Sequence, residues 1–239
     1  MSGDLDTSWA RGRAAGAVRG AVLLGVLGPL IDLYTRGRVH GREHLDAVEG
    51  PVLFVANHSS HMDTPVLLRS LPRAWRRRTA VAAAADYFYR VPWLAHTVSL
   101  AFNTVPVERK GEGADGASEL VRLIGEGWSV VVFAEGTRSR DGTVGRLRSG
   151  AAMLATEQGL PIVPVHVSGT HAVMPVGRRW MRRGRTRPAI AVHFGPAIRP
   201  REGEHRTEVM ERVRLFLEAS GAATTPDKRV EARRAASAP

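Results

Sequence analysis

The longest apolar stretch of the chain runs from Ala14 to Leu33 and is broken by Arg19 and Asp32. Its uninterrupted part, Gly20 to Ile31, would rise only about 18 Å as a helix, against roughly 30 Å of bilayer hydrocarbon. The pattern therefore predicts an apolar helix that lies against the core or at a membrane interface and does not cross. Arg11, Arg13 and Arg19 ahead of the run give it the outline of a secretory signal, but no small-x-small cleavage site follows Ile31 before Asp32, Tyr34 and Arg36.

Downstream, short apolar runs alternate with helical stripes. Pro51 to Ala56 reads as a buried strand, followed by a polar turn and a helix beginning at Pro65, where a missing backbone donor does no harm. Ala117, Leu120, Val121 and Ile124 form a helical stripe, Gly125 to Gly127 stop it, and Ser129 to Ala134 resume as a strand. Further strands are expected at Thr79 to Ala84, Asn103 to Val107, Ile162 to Val167 and Ala189 to Phe194, and helices at Arg148 to Glu157 and Thr207 to Ala219. This alternation predicts an α/β fold: a mixed, mostly parallel central sheet flanked by helices, with an N-terminal apolar or amphipathic helical segment. The expected division is residues 1–37 for that segment, 38–219 for the main domain and 220–239 for a loose tail.

The length of 239 residues suffices for one such domain without disulfides or a structural metal. The chain has no cysteine, which removes thiol nucleophiles, thiolate metal sites and disulfide scaffolds. Lysine and arginine number 34 against 23 aspartate and glutamate, a formal net charge of +11. Three anionic partners fit that excess: nucleic acid, a phosphorylated small substrate, or an anionic membrane surface. The densest basic segment places Arg178, Arg179, Arg182, Arg183, Arg185 and Arg187 around Trp180 and Met181, which suits headgroups or an anionic carrier protein as well as a plain solvated loop. It lacks a regular array of aromatic stacking residues and any nucleic-acid fold motif, so nucleic acid is not expected.

Two constellations carry candidate chemistry, both placed directly after predicted strands, where functional sites of α/β sheets gather. The first spans Asn57 to Asp63. His58 is poised to act as a general base near neutral pH, with Asp63 fixing its tautomer and stabilising the imidazolium. Residues five apart on a continuous helix diverge by about 140°, so this pairing requires non-helical backbone before Pro65. His61 reads as a partly buried hydrogen-bonding residue or an exposed neighbour of the site. His58, His61 and Asp63 could also be taken as metal ligands, but compared with the His-x-His-x-Asp-His motif of the metallo-β-lactamases the first spacing is one residue too long and Thr64 stands at the last position.

The second spans Phe133 to Arg140. Gly136 permits close backbone approach, Thr137 and Ser139 offer hydroxyls, and Arg138 presents a directed fork of donors to a phosphate. A carboxylate here, Glu135, would repel a phosphate unless it binds a substrate hydroxyl or orients an arginine, and a polyol phosphate meets both conditions. Arg109 follows an apolar strand and could reach the same phosphate, and Arg148 could add charge beside a helix N-terminus.

Taken together these blocks closely resemble the glycerolipid acyltransferase family, over roughly Arg38 to Pro200. The family's Asn-His-x-x-x-x-Asp block falls on Asn57, His58 and Asp63, and its Phe-Pro-Glu-Gly-Thr-Arg-Ser block on Phe133 to Ser139, with Ala134 in place of proline. Its Gly-x-x-Phe-x-x-Arg block corresponds to Asn103 to Arg109, where Asn103 and Pro106 depart, and its proline-containing apolar strand to Ile162 to Val165. The resemblance implies acyl transfer from an acyl-CoA or acyl-carrier-protein thioester to the free hydroxyl of a lysophospholipid, foremost 1-acyl-glycerol-3-phosphate, or a lysolipid with another headgroup. His58 and Asp63 would be the catalytic pair, and Arg109, Glu135, Gly136, Thr137, Arg138 and Arg148 the contacts to the polar substrate. No metal, no other cofactor and no covalent enzyme intermediate are expected. The implied place of work is the cytoplasmic face of the cell membrane, bound peripherally or anchored shallowly. A basic peripheral membrane protein that has lost catalysis, or a basic nucleic-acid-binding protein, is the non-enzyme alternative.

Overall fold

The protein is described here by a computed structural model covering residues 6–88, 91–107, 114–178, 180–182, 184 and 186–224. Among the described residues seven strands form one sheet: β1 (Arg36–His40), β2 (Leu53–Ala56), β3 (Thr79–Ala84), β4 (Thr104–Val107), β5 (Ser129–Phe133), β6 (Ile162–Ser168) and β7 (Ala189–Phe194). Their order is β1-β7-β6-β2-β5-β3-β4. Every neighbouring pair is parallel except β6 and β7, so the sheet is mixed and mostly parallel as the alternation of runs implies.

Strand β2 has no exposed residue, and its side chains divide between two cores. Phe54 and Ala56 join one cluster with Leu67 and Phe194, whereas Leu53 and Val55 join another with Leu123 and Leu217. Burial on both faces is why this strand reads as a continuous apolar run instead of an alternating one. The edge strand β1 escapes a hydrophobic scan because its residues Arg36, Gly37, Arg38 and His40 are exposed. It is held through its backbone, starting with the Arg36 N–H donating to Pro188 O at 2.9 Å and continuing in register with β7.

Among the described residues six longer helices flank the sheet: α1 (Arg13–Tyr34), α2 (Asp63–Ser70), α3 (Pro92–Phe102), α4 (Ala114–Gly125), α5 (Gly150–Gln158) and α6 (Arg206–Thr224). Helix α6 continues to Thr224, past the expected end at Ala219, and the remainder of the expected tail lies outside the described residues. Helix α3 starts at a proline in its first turn and ends on Asn103, whose left-handed backbone (φ 55°) closes it before β4.

Helix α1 is longer than its uninterrupted apolar run. Its 22 residues, including a π-helical turn at Val22–Leu27, would reach about 33 Å, and by length and composition it could cross a bilayer. The two charges that break the run do not break the helix, because tertiary contacts satisfy them. Arg19 is buried and donates to the carbonyls of Ala10 and Leu100, and Asp32 accepts a bidentate pair from Arg69 of α2 at 2.8 and 2.6 Å. Leu23, Gly28 and Ile31 face the domain, while Val18, Leu24, Val26 and Leu33 are exposed. The helix thus lies along the domain on one side and presents an apolar face on the other.

Candidate active site

Where β2 ends, the chain leaves the sheet through a side chain that imitates a strand. Asn57 donates from Nδ2 to Val167 O at 2.9 Å and accepts the Val167 N–H at 2.8 Å, extending the contact with β6 by one residue. His58 to Met62 then run without helical structure, and α2 opens on Asp63, two residues ahead of Pro65. This is the backbone that a His58–Asp63 pairing requires.

The two side chains meet, with His58 Nδ1 2.9 Å from Asp63 Oδ2. The same oxygen accepts the backbone N–H of Ser59 at 2.7 Å and of Ser60 at 2.8 Å. The other oxygen, Oδ1, accepts the Thr170 hydroxyl at 2.5 Å. Asp63 is fully buried, and a carboxylate there is tolerable because donors converge on both oxygens. The His58 ring stacks on Phe133, with centroids 4.0 Å apart and planes at 21°. With Nδ1 held as a donor to the carboxylate, Nε2 is the nitrogen left to accept a proton.

The loop after β5 is pinned to this turn. Glu135 does not face the cavity lined by His58. Its Oε1 accepts the His58 N–H at 2.9 Å and its Oε2 the Gly145 N–H at 3.1 Å. Burial pushes its carboxyl up, and the two backbone donors pull the other way. It thus braces the two loops, with one backbone donor on each carboxylate oxygen. Ser139 N–H donates to His58 O and Arg148 N–H to Ala134 O, each at 2.8 Å, and these bonds close the arrangement.

Gly136 adopts a left-handed backbone (φ 68°), and a Cβ there would fall 2.7 Å from Arg148 Nε. The close approach that this glycine permits is made by the Arg148 side chain. Arg138 and Arg148 both line the cavity beside His58. Thr137, between Gly136 and Arg138, is exposed and is not part of the lining, since the tight turn sends adjacent side chains in different directions. Arg109 lies outside the described residues.

The cavity has a volume of about 1050 Å³, at the upper end of small-molecule sites. Part of its polar lining, including His58, His61 and Arg138, comes from the segments after β2 and β5, and Arg148 and Ser149 add to it at the start of α5. Much of its apolar lining comes from β3 and from α3 and α4, among them Val81, Ala83, Val98, Phe102 and Val121. His61 is a genuine neighbour of the site: burial, with Arg138 and His58 nearby, pushes its pKa down to about 4, so the ring is neutral at neutral pH. Among the described residues no group of three or more His, Asp or Glu side chains is arranged to hold a metal ion, and His58 and Asp63 instead face each other.

The basic segment connects this cavity to α1. Arg178 lines the cavity, the Arg182 N–H donates to Val173 O at 2.8 Å, and Arg187 Nη1 donates to Asp32 O at 2.9 Å. Trp180 between them is exposed, while Arg179, Arg183 and Arg185 lie outside the described residues.

Comparison with known proteins places this geometry in context. Residues 36–168 match the family model described as Acyltransferase. The chain is 32% identical over 143 residues to 1-acyl-sn-glycerol-3-phosphate acyltransferase BAT2, chloroplastic, of Brassica napus, covering 58% of this chain and 39% of that one. It is 31% identical over 143 residues to the LPAT1, chloroplastic, protein of the same description from Arabidopsis thaliana, with coverage of 58% and 38%. For 1-acyl-sn-glycerol-3-phosphate acyltransferase of Limnanthes douglasii the identity is 31% over 167 residues, with coverage of 67% and 54%. The chain thus spans about two-fifths of the length of the first two relatives and about half of the third. Its fold is similar to that in the crystal structure of the 1-acyl-sn-glycerophosphate acyltransferase PlsC from Thermotoga maritima, with a TM-score of 0.64, 24% identity and coverage of 91% and 84%.

Proposed function

The chain belongs to the acyltransferase family, and on that premise we propose that it transfers an acyl group from a CoA or acyl-carrier-protein thioester to the free sn-2 hydroxyl of 1-acyl-glycerol-3-phosphate, giving phosphatidic acid. The observation that carries this reading is a single cavity that joins the His58–Asp63 pair and two arginines to a long apolar lining. The relatives named above are described as acting on that acceptor.

In the proposed reaction His58 Nε2 takes the proton of the acceptor hydroxyl as its oxygen attacks the thioester carbonyl. The new C–O bond forms, the C–S bond breaks, and the imidazolium returns its proton to the departing thiolate. Asp63 balances the imidazolium charge while that charge exists. Arg138 and Arg148 hold the acceptor phosphate and fix its glycerol relative to His58, so that attack proceeds from an oriented complex. Gly136 serves them by clearing space for the Arg148 side chain. By family resemblance Arg109 joins the same phosphate site. The apolar lining receives acyl chain.

We assign this chemistry to residues 38–219 and a membrane-associating role to residues 1–37. Exposed Val18, Leu24, Val26 and Leu33 on α1, together with Trp180 and the arginines beside it, support contact with an anionic lipid surface on the cytoplasmic side. The same basic segment is complementary to an acidic carrier protein as donor.

The acceptor assignment is tested with Arg138→Ala in detergent micelles, using lysophosphatidic acid and lysophosphatidylcholine as rival acceptors. The variant is expected to raise KM for lysophosphatidic acid by roughly ten- to a hundred-fold, the cost of one charge-assisted contact, and to erase the preference for it. An unchanged acceptor preference would remove Arg138 from the phosphate site, and a wild-type preference for the choline lipid would point to another headgroup.

A further inference from the structure

We propose that Thr170 is a positioning residue for the transfer reaction, acting through Asp63 as the third member of the His58–Asp63 pair. The inference rests on the reading of that pair as the catalytic dyad. Three donors already converge on Asp63 Oδ2, namely His58 Nδ1 and the N–H groups of Ser59 and Ser60, all between 2.7 and 2.9 Å. The Thr170 hydroxyl meets the opposite oxygen at 2.5 Å from the helical turn after β6, more than a hundred residues away in sequence. A carboxylate gripped on both oxygens cannot rotate about its Cβ–Cγ bond, and so Oδ2 stays on the imidazole.

The direction of the chain of bonds is fixed as well. An ionised carboxylate only accepts, so the Thr170 hydroxyl must donate to Asp63. It is then left to accept from Ser59 Oγ, 3.3 Å away. Both Thr170 and Asp63 are fully buried, so no water is at hand to replace a lost donor.

Its position is imposed by the backbone. Gly169 precedes it with φ 81°, and a Cβ there would lie 2.1 Å from Ala189 O. Only glycine lets β6 turn at that point and present Thr170 to the start of α2. The same turn also holds Ser60 through its hydroxyl bond to Met174 O at 2.8 Å. A purely structural role for Thr170 must therefore be distinguished from one in positioning the carboxylate. The other titratable and charged groups around the pair are His61 and Arg138 on the cavity side, Glu135 after β5, His166 on β6 and His171 in the turn itself.

The test compares the full wild-type chain with Thr170→Val, Thr170→Ser and His58→Ala, measuring kcat, KM for the thioester and the pH profile of kcat/KM. Thr170→Val is expected to lower kcat by about ten- to a hundred-fold, as for a lost bond to a charged group, with KM within about two-fold. Because the hydrogen bonding behind the imidazole changes, the acid limb of the profile should also move relative to wild type. Thr170→Ser retains the hydroxyl and should keep the wild-type limb and kcat within about three-fold. Should the valine variant not fold, Thr170→Ala replaces it in the same contrast with serine. The inference is overturned by an unmoved limb with unchanged kcat, by equal losses in the valine and serine variants, or by a loss confined to thermal stability. If His58→Ala is as active as wild type, the reading of the dyad fails. If His58→Ala is inactive and Thr170→Val is not impaired, only the inference about Thr170 fails.

Discussion

Replacing His58 by alanine is expected to lower kcat for acyl transfer by about 10²- to 10⁴-fold, the usual contribution of a positioned general base. Acceptor binding should stay close to wild type, because the proposed phosphate contacts, Arg138 and Arg148, line the cavity from a different loop. The fold should also survive. The bonds that tie this turn to Glu135 and Ser139 use the His58 backbone N–H and carbonyl, which alanine retains. What disappears is the ring stacked on Phe133 and its bond to Asp63. Initial rates of thiol release, combined with equilibrium binding of lysophosphatidic acid, separate the two effects. Turnover within ten-fold of wild type would mean that another group takes the proton.

Asp63→Asn is expected to cost on the order of 10³- to 10⁴-fold in kcat, as for loss of the carboxylate behind a catalytic histidine. The substitution keeps the shape of the side chain, and its geometry leaves one tolerable orientation. An amide nitrogen at the Oδ2 position would face the donors of Ser59, Ser60 and His58, so the amide oxygen must occupy it. The amide nitrogen then meets Thr170, whose hydroxyl can rotate to accept. Contacts are largely preserved, but the charge that balances the imidazolium is gone. Weaker hydrogen bonds should lower stability by only about 1–3 kcal/mol. A large fall in kcat beside a modest fall in thermal midpoint is the expected signature. A variant that loses stability but keeps its turnover per folded molecule would assign Asp63 a structural role.

The sequence discloses those parts of the site whose partners are near in the chain. His58 and Asp63 are five residues apart, so their pairing needed only a local condition on the backbone, which the turn before α2 meets. Thr170 was not legible, because nothing in the segment after β6 points to a carboxylate 107 positions earlier. Its one signal was the glycine before it, at the end of an apolar run. The bracing role of Glu135 is hidden for a related reason. Its residue type suits a substrate hydroxyl, and the backbone donors it accepts from lie 77 and 10 residues away.

The same distinction governs the fold. The inner strands were visible because burial on both faces leaves unbroken apolar runs, as in Leu53–Ala56. Strand β1 was not, since an edge held by backbone bonds needs no apolar pattern and here shows arginines to solvent. Helix α1 was shortened on paper by Arg19 and Asp32, whose partners Leu100 and Arg69 lie in other helices.

The proposed reaction requires one cavity to bring a proton acceptor to the hydroxyl of a phosphate-bearing lysolipid while an acyl thioester is bound beside it. The most direct measurement follows thiol release and phosphatidic acid formation together, using the purified wild-type chain with lysophosphatidic acid and acyl-CoA or acyl-carrier-protein donors. The account predicts that the two products appear one for one and that thiol release stops when the acceptor is omitted. Thiol released with free fatty acid and no phosphatidic acid, or no turnover with either donor, would contradict it.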